Sequence, residues 1–154
     1  VNQQFDRAVD RSLGRSLKAI RGDVMDEIKR GLREIHESKL EVFDNKNAHR
    51  DYEIVITNSE FTCLCPKTGY PDFATIEVRY IPDKYCIELK SYKLYINKFR
   101  DRGIFHEEAV NEILEALVQV CKPRMMTIRG DFNPRGNVHT QVTAGYIARG
   151  FKKR

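Results

Sequence analysis

The sequence predicts an α+β domain, a mostly antiparallel sheet with two helices packed on one face. Two observations carry that expectation. Strand-like segments lie on both sides of two segments with helical spacing, in the order strand, strand, helix, helix, strand, strand. The chain has 154 residues, 41% of them hydrophobic and 32% charged, which is the length of one domain with the apolar content for a real core. A single layer of helices leaves sheet edges uncovered, so self-association is expected.

Residues 1–40 read as a helical N-terminal extension. Phe5, Val9, Leu13, Leu17, Ile20 and Val24 recur at helical spacing, interrupted by Gly14 and Gly22. Asp23 is placed to cap a second helix carrying Met25, Ile28, Leu32 and Ile35. Arg7, Arg11, Arg15 and Lys18 form a basic stripe with no aromatic partners, which favours a solvated face over an RNA contact. The domain proper is expected at residues 41–147, with a basic tail at 148–154. Residues 52–57 read as a strand, and 73–80 as a cleaner one because Ile76, Val78 and Tyr80 share a face. Two prolines and a glycine make 65–72 a loop, and Pro82-Asp83 turns the chain into a short strand near 85–88. Tyr92, Tyr95, Ile96 and Phe99 lie on one face of a helix that Gly103 is placed to end. Val110, Ile113, Leu114, Leu117, Val118 and Cys121 mark the strongest helix, stopped by Pro123. Residues 125–129 and 138–146 then read as strands separated by a loop at 132–137.

Lysine and arginine number 27 against 22 acids, a net charge of +5. This mild surplus suits an anionic ligand and does not require nucleic acid. No apolar stretch approaches the roughly 18 residues that cross a bilayer, and no secretory signal pattern is read at the start. The four cysteines, Cys63, Cys65, Cys86 and Cys121, are too few for a disulfide framework. Reduced thiols in a cytoplasmic protein are the expectation.

Cys65 opens the loop between two strands, where a thiol can face a cleft. Lys67 stands two residues on, placed to favour the thiolate, and Asp72 follows at the foot of the next strand as a candidate acid. Spacing alone leaves two readings, a reactive nucleophile or a buried inert thiol. Cys63 and Cys65 lack a second ligand pair, and His36, His49, His106 and His139 are not arranged to supply one, so no metal is expected. Glu107 opens a helix, either as a residue favoured by the helix dipole or as an acceptor for the N–H groups of a guanine-like ring beside His106. Lys90 and Lys93 flank the first turn of the preceding helix, as solvated lysines or as a phosphate site.

Together these motifs resemble the 7-cyano-7-deazaguanine reductase (QueF) family of nitrile reductases in queuosine biosynthesis, in its single-module form. The resemblance runs from about Phe43 to Tyr146. It rests on the run Phe61 to Thr75, on Glu88 to Tyr95, on Phe105-His106-Glu107 and on Gly130 to Gly136, in the family's order. Cys63 and Tyr70 stand where Ser and Gln are expected, and Asn137 where Gly is. The resemblance implies a tunnelling fold closing into a ring-forming homo-oligomer, a decamer of two pentamers, with active sites at subunit interfaces. It implies reduction of the nitrile of 7-cyano-7-deazaguanine to an aminomethyl group by two NADPH, through a thioimide on Cys65 with Asp72 as acid. Ile87, Glu88, Leu89, His106 and Glu107 would hold the base, His106 closing the pocket and available to move a proton. Lys90, Lys93, Arg135 and Gly136 would hold the NADPH phosphates. No Rossmann glycine fingerprint is present, so the dinucleotide must bind in another way. The alternative is an amidotransferase relative that captures the same nitrile on a tRNA-borne base in archaeosine formation; it would lack the Glu88–Tyr95 signature. No direct nucleic acid or membrane partner is expected.

Overall fold

The computed structural model describes residues 32–152. The chain divides into two units, 1–37 and 38–154. In the first, residues 32–37 are helical. The readings made for residues 1–31, and for Lys153 and Arg154 in the tail, lie outside the described residues.

The second unit carries β1 (Val42–Asp44), β2 (Ile54–Leu64), β3 (Pro71–Ile81), β4 (Tyr85–Ile87), α1 (Leu89–Asn97), α2 (His106–Cys121), β5 (Met125–Arg135) and β6 (Val138–Ile147). Strands β2, β3, β5 and β6 form one antiparallel sheet in that order, and β1 pairs with β4 in a separate ribbon. The expected α+β order of the main elements is therefore observed. On β3, Asp72, Ala74, Ile76, Val78 and Tyr80 are buried on one face, the period-two signature of a sheet covered on one side. Both helices supply that cover. From α1 come Tyr92 and Ile96; from α2 come Ala109, Val110, Ile113, Leu114, Leu117 and Cys121, all in one core cluster with the strands. No helix among the described residues is long and apolar enough to cross a membrane.

Four local expectations are corrected. The short strand near 85–88 pairs with β1, not with the main sheet, and a three-residue β1 is too short to show alternation. Strand β3 begins at Pro71, so Asp72 stands on the sheet and not in the loop. Strand β5 continues to Arg135 through a register shift between Phe132 and Arg135, which accommodates Pro134; only Gly136 and Asn137, both at positive φ, make the turn. Gly103 does not end α1, which stops at Asn97. It forms a parallel bridge with Leu64: the Leu64 N–H donates to the Arg102 carbonyl at 2.8 Å, and the Ile104 N–H donates to the Leu64 carbonyl at 3.0 Å. That bridge ties the end of β2 to the approach to α2.

The other tie is Gly130 on β5. A Cβ there would lie 2.7 Å from Val110 Cγ2 and 2.9 Å from Phe132 Cε2, so the bare backbone lets α2 settle onto the sheet. Gly130→Ala is expected to destabilise the fold by about 1–3 kcal/mol through overpacking. Urea unfolding reads this, and adding Val110→Ala should recover part of the loss, since the two side chains would compete for one space.

Candidate active site

Cys65 follows the last residue of β2 and opens a tight loop. Its N–H donates to the Tyr70 carbonyl and its carbonyl accepts from the Gly69 N–H, both at 2.8 Å. Gly69 sits at φ +69, a conformation glycine adopts without strain. The Cys65 thiol is lowered to about 7 by the donor groups nearest it, the Thr68 hydroxyl first and then the backbone N–H groups of Lys67 and Thr68, with Arg135 contributing less. Lys67 contributes to that lowering through its backbone N–H. Cys63, two residues earlier, is fully buried in the core, and burial, reinforced by the charge of Asp72, pushes its thiol up to about 11. Of the two cysteines, only Cys65 is poised as a nucleophile.

Asp72 lies opposite Cys63 across the β2–β3 ladder and is 5% exposed. The Arg135 guanidinium, from the far end of β5, forms an ion pair with its Oδ1. His106 Nε2, from the first residue of α2, lies 3.4 Å from its Oδ2. The His106 ring is stacked on Phe132 with centroids 3.7 Å apart and planes 7° from parallel. The Arg135 guanidinium also sits 4.9 Å over the Tyr70 ring. No capping side chain precedes α2; the Phe105 N–H instead donates to Glu108, at 3.4 Å.

These groups line one cavity of about 550 Å³, with Cys65, Asp72, His106, Glu107, Arg135 and Gly136 in its wall. Glu107 makes no side-chain hydrogen bond or ion pair among the described residues, which leaves its carboxylate to accept from a ligand. A second cavity of about 670 Å³ is lined by Lys93, Arg100, Asn97 and Phe73, and Asn133 lines both. The structure thus brings together six of the residues singled out in the sequence and sets Lys93 next door. Ile87, Glu88, Leu89 and Lys90 line neither cavity. Glu88 caps α1, accepting from the N–H groups of Lys90 at 2.8 Å and Ser91 at 2.7 Å, and these bonds hold its carboxyl below the usual range. Thr68 was not singled out. It stood inside the Cys65 loop, three residues past the thiol, and that proximity was the available signal. No cluster of three or more His, Cys, Asp or Glu suited to a metal ion occurs among the described residues.

A partly exposed thiol held near its thiolate form, beside a buried carboxylate and an imidazole, defines a cysteine-nucleophile site on an α+β scaffold. Comparison with known proteins narrows the class. The family model described as "QueF-like protein" matches residues 71–150. The NADPH-dependent 7-cyano-7-deazaguanine reductase of Aquifex aeolicus (strain VF5) is 61% identical over 116 residues, covering 75% of this chain and 90% of the relative. The protein of the same name from Microcystis aeruginosa (strain NIES-843 / IAM M-2473) is 56% identical over 120 residues, covering 78% and 92%. The fold matches the crystal structure of the archaeosine synthase QueF-Like in the apo form, with a TM-score of 0.57 at 22% identity over 60% of this chain and 91% of that one. The chain belongs to the QueF family of NADPH-dependent 7-cyano-7-deazaguanine reductases.

Brief treatment with iodoacetamide at pH 7 is expected to label Cys65 and to spare Cys63, Cys86 and Cys121, read by peptide mapping. The alkylation rate should rise as pH increases through about 7, because the reactive thiolate is the form present above that value.

Proposed function

We propose that this chain reduces the nitrile of 7-cyano-7-deazaguanine to an aminomethyl group with NADPH, in the queuosine branch of tRNA modification, a reading supported by the relatives named NADPH-dependent 7-cyano-7-deazaguanine reductase. The observation that carries the reading is the pairing of Cys65, lowered to about 7, with Asp72 in the wall of the cavity that also holds the free Glu107. The retained Glu88–Tyr95 signature, and identity of 61% to a named reductase, favour reduction over amidotransfer.

A nitrile accepts hydride poorly, so the sulfur adds first. The C–S bond forms as one π bond of C≡N breaks, the thiol proton passes to Asp72, and Asp72 delivers it to the nitrile nitrogen. His106 and Arg135 hold the two oxygens of Asp72 in place for that transfer. Glu107 accepts from the ring N–H groups of the base, and His106 closes the pocket over it. Conversion of a nitrile to an aminomethyl group takes two hydrides and two protons, and a dinucleotide bound across the two cavities would supply the hydrides. The second cavity fits such a ligand: neither Lys93 nor Arg100 forms an ion pair among the described residues, and Asn133 joins it to the Cys65 cavity. Lys93 and the Arg135–Gly136 turn would hold its phosphates, and Lys90, which lines neither cavity, would meet them from one turn before Lys93 on α1. Arg135 has five N–H donors, more than Asp72 and Cys65 use.

The reading extends to assembly. Strands β2 and β6 form the two outer edges of the sheet, 11 and 10 residues long. Such edges are covered when copies join head to tail into the ring of a tunnelling fold, two pentamers stacking as a decamer. Ile87, Glu88 and Leu89 then reach the base from a neighbouring subunit, Ile87 and Leu89 through backbone groups. The exposure of Leu89 (60%) and of nearby-strand Phe43 (55%) supports a covered role for that end of the ribbon. Each oxygen of Glu88 keeps a lone pair beyond the one used in capping α1.

Mixing the protein with 7-cyano-7-deazaguanine alone should add the nitrile's mass to the wild type and to Cys63→Ala, and add nothing to Cys65→Ala, by intact mass spectrometry. Asp72→Asn should bind the base almost normally by calorimetry yet form the adduct at least ~100-fold more slowly, the low end for general acid catalysis. Adduct formation at the normal rate would transfer the acid role to His106. Replacing Lys90 and Lys93 together should weaken NADPH binding while leaving adduct formation intact; an unchanged affinity would make them surface lysines.

A further inference from the structure

Tyr70 lies in the Cys65 loop, at a position where this chain departs from the family's motifs. Its backbone closes the loop: the Tyr70 carbonyl accepts from the Cys65 N–H at 2.8 Å, and its N–H donates to the Thr68 hydroxyl oxygen at 3.3 Å. Its ring is 62% exposed, and the Arg135 guanidinium lies over it with Cζ 4.9 Å from the centroid. The same guanidinium forms the ion pair with Asp72 Oδ1. Tyr70 and Asp72 flank Pro71, the first residue of β3, and the two-residue period of extended backbone lets one guanidinium meet both side chains. Arg135 is the last residue of β5 and its side chain is 40% exposed. Such an arginine has many rotamers open to it; a ring on one side and a carboxylate on the other select one.

We propose that Tyr70 is a positioning residue of the acid: its ring holds the Arg135 guanidinium in the orientation that grips Asp72, and so fixes the carboxylate that carries the proton from Cys65 to the nitrile nitrogen. The inference rests on Cys65 and Asp72 as nucleophile and acid, and it deepens that reading. Arg135 on Oδ1 and His106 beside Oδ2 set the plane of the carboxylate between them. Each of these two partners has an aromatic ring behind it, Phe132 stacked on the imidazole and Tyr70 under the guanidinium. Phe132 is buried in the core, so replacing it would open a cavity there; Tyr70 is exposed and can be replaced without that cost. The backbone bond between Tyr70 and Cys65 also fixes where the ring stands relative to the thiol, which ties the acid's counter-ion to the nucleophile's own loop. Tyr70 is absent from the wall of the Cys65 cavity, so its effect falls on proton transfer and not on binding of the base.

The test is the rate of adduct formation with 7-cyano-7-deazaguanine, without NADPH, as a function of its concentration. The full chain is compared as wild type, Tyr70→Leu, Tyr70→Phe, Arg135→Gln, and Tyr70→Leu combined with Arg135→Gln, with folding checked by circular dichroism. Tyr70→Leu should lower the maximal rate about twofold to fivefold, the worth of one exposed cation–π contact, and leave the half-saturating concentration unchanged. Tyr70→Phe keeps the ring face and should match the wild type. In the Arg135→Gln background, Tyr70→Leu should cost nothing further, because the ring acts through the guanidinium. An unchanged maximal rate in Tyr70→Leu, an equal loss in Tyr70→Phe, or the full loss repeated on top of Arg135→Gln overturns the proposal and leaves the reading of Cys65 and Asp72 standing. So does a raised half-saturating concentration at an unchanged maximal rate, which would make Tyr70 a contact of the base. A wild type that forms no adduct overturns that reading and the proposal with it. Should Tyr70→Leu not fold, Tyr70→Ala is read by the same criteria.

Discussion

The site depends on keeping one buried carboxylate satisfied. Asp72 is 5% exposed and faces the helix-covered side of the sheet, where an unpaired charge is strongly unfavourable. Its partners come from elements remote in sequence: Arg135, 63 residues away on β5, and His106 at the start of α2. Three elements must therefore meet at one end of the sheet before Asp72 is paired. The same meeting places Cys65, just past the end of β2, in the wall of the cavity that Asp72 also lines. The contacts that stabilise this end of the fold are also those on which the proposed chemistry rests.

Backbone ties hold those elements where the side chains need them. The Leu64–Gly103 bridge joins the residue before Cys65 to the segment leading into His106. Gly130 lets Val110 of α2 approach β5, two residues from the Phe132 ring on which His106 stacks. Since core packing tolerates little added volume, a shift at Gly130 would be transmitted to the imidazole.

Cys63 and Cys65 show how steeply environment acts on one kind of side chain. Cys63 is enclosed in the core and pushed up to about 11, whereas Cys65, past the last ladder pair of β2, gathers donors from its loop and falls to about 7. Strand continuation encloses one thiol in the core, and strand termination leaves the other near its thiolate form.

What the sequence determined by itself was the element order, the amphipathic faces of the two helices and the residues of the reactive loop. These follow from near-neighbour rules of periodicity, prolines and turn glycines, which a linear chain displays openly. It also marked Cys65, Asp72, His106, Glu107 and Arg135 as candidates, and the fold gathers all five in one cavity wall. Only the tertiary structure decided that Arg135 turns onto Asp72, that Gly103 bridges Leu64 and does not end α1, and that Glu88 caps its own helix away from Cys65. Each of these depends on strand register and on how a helix settles against a sheet. Register is set by pairing between distant segments, and a one-residue slip would reverse the face on which Asp72 lies.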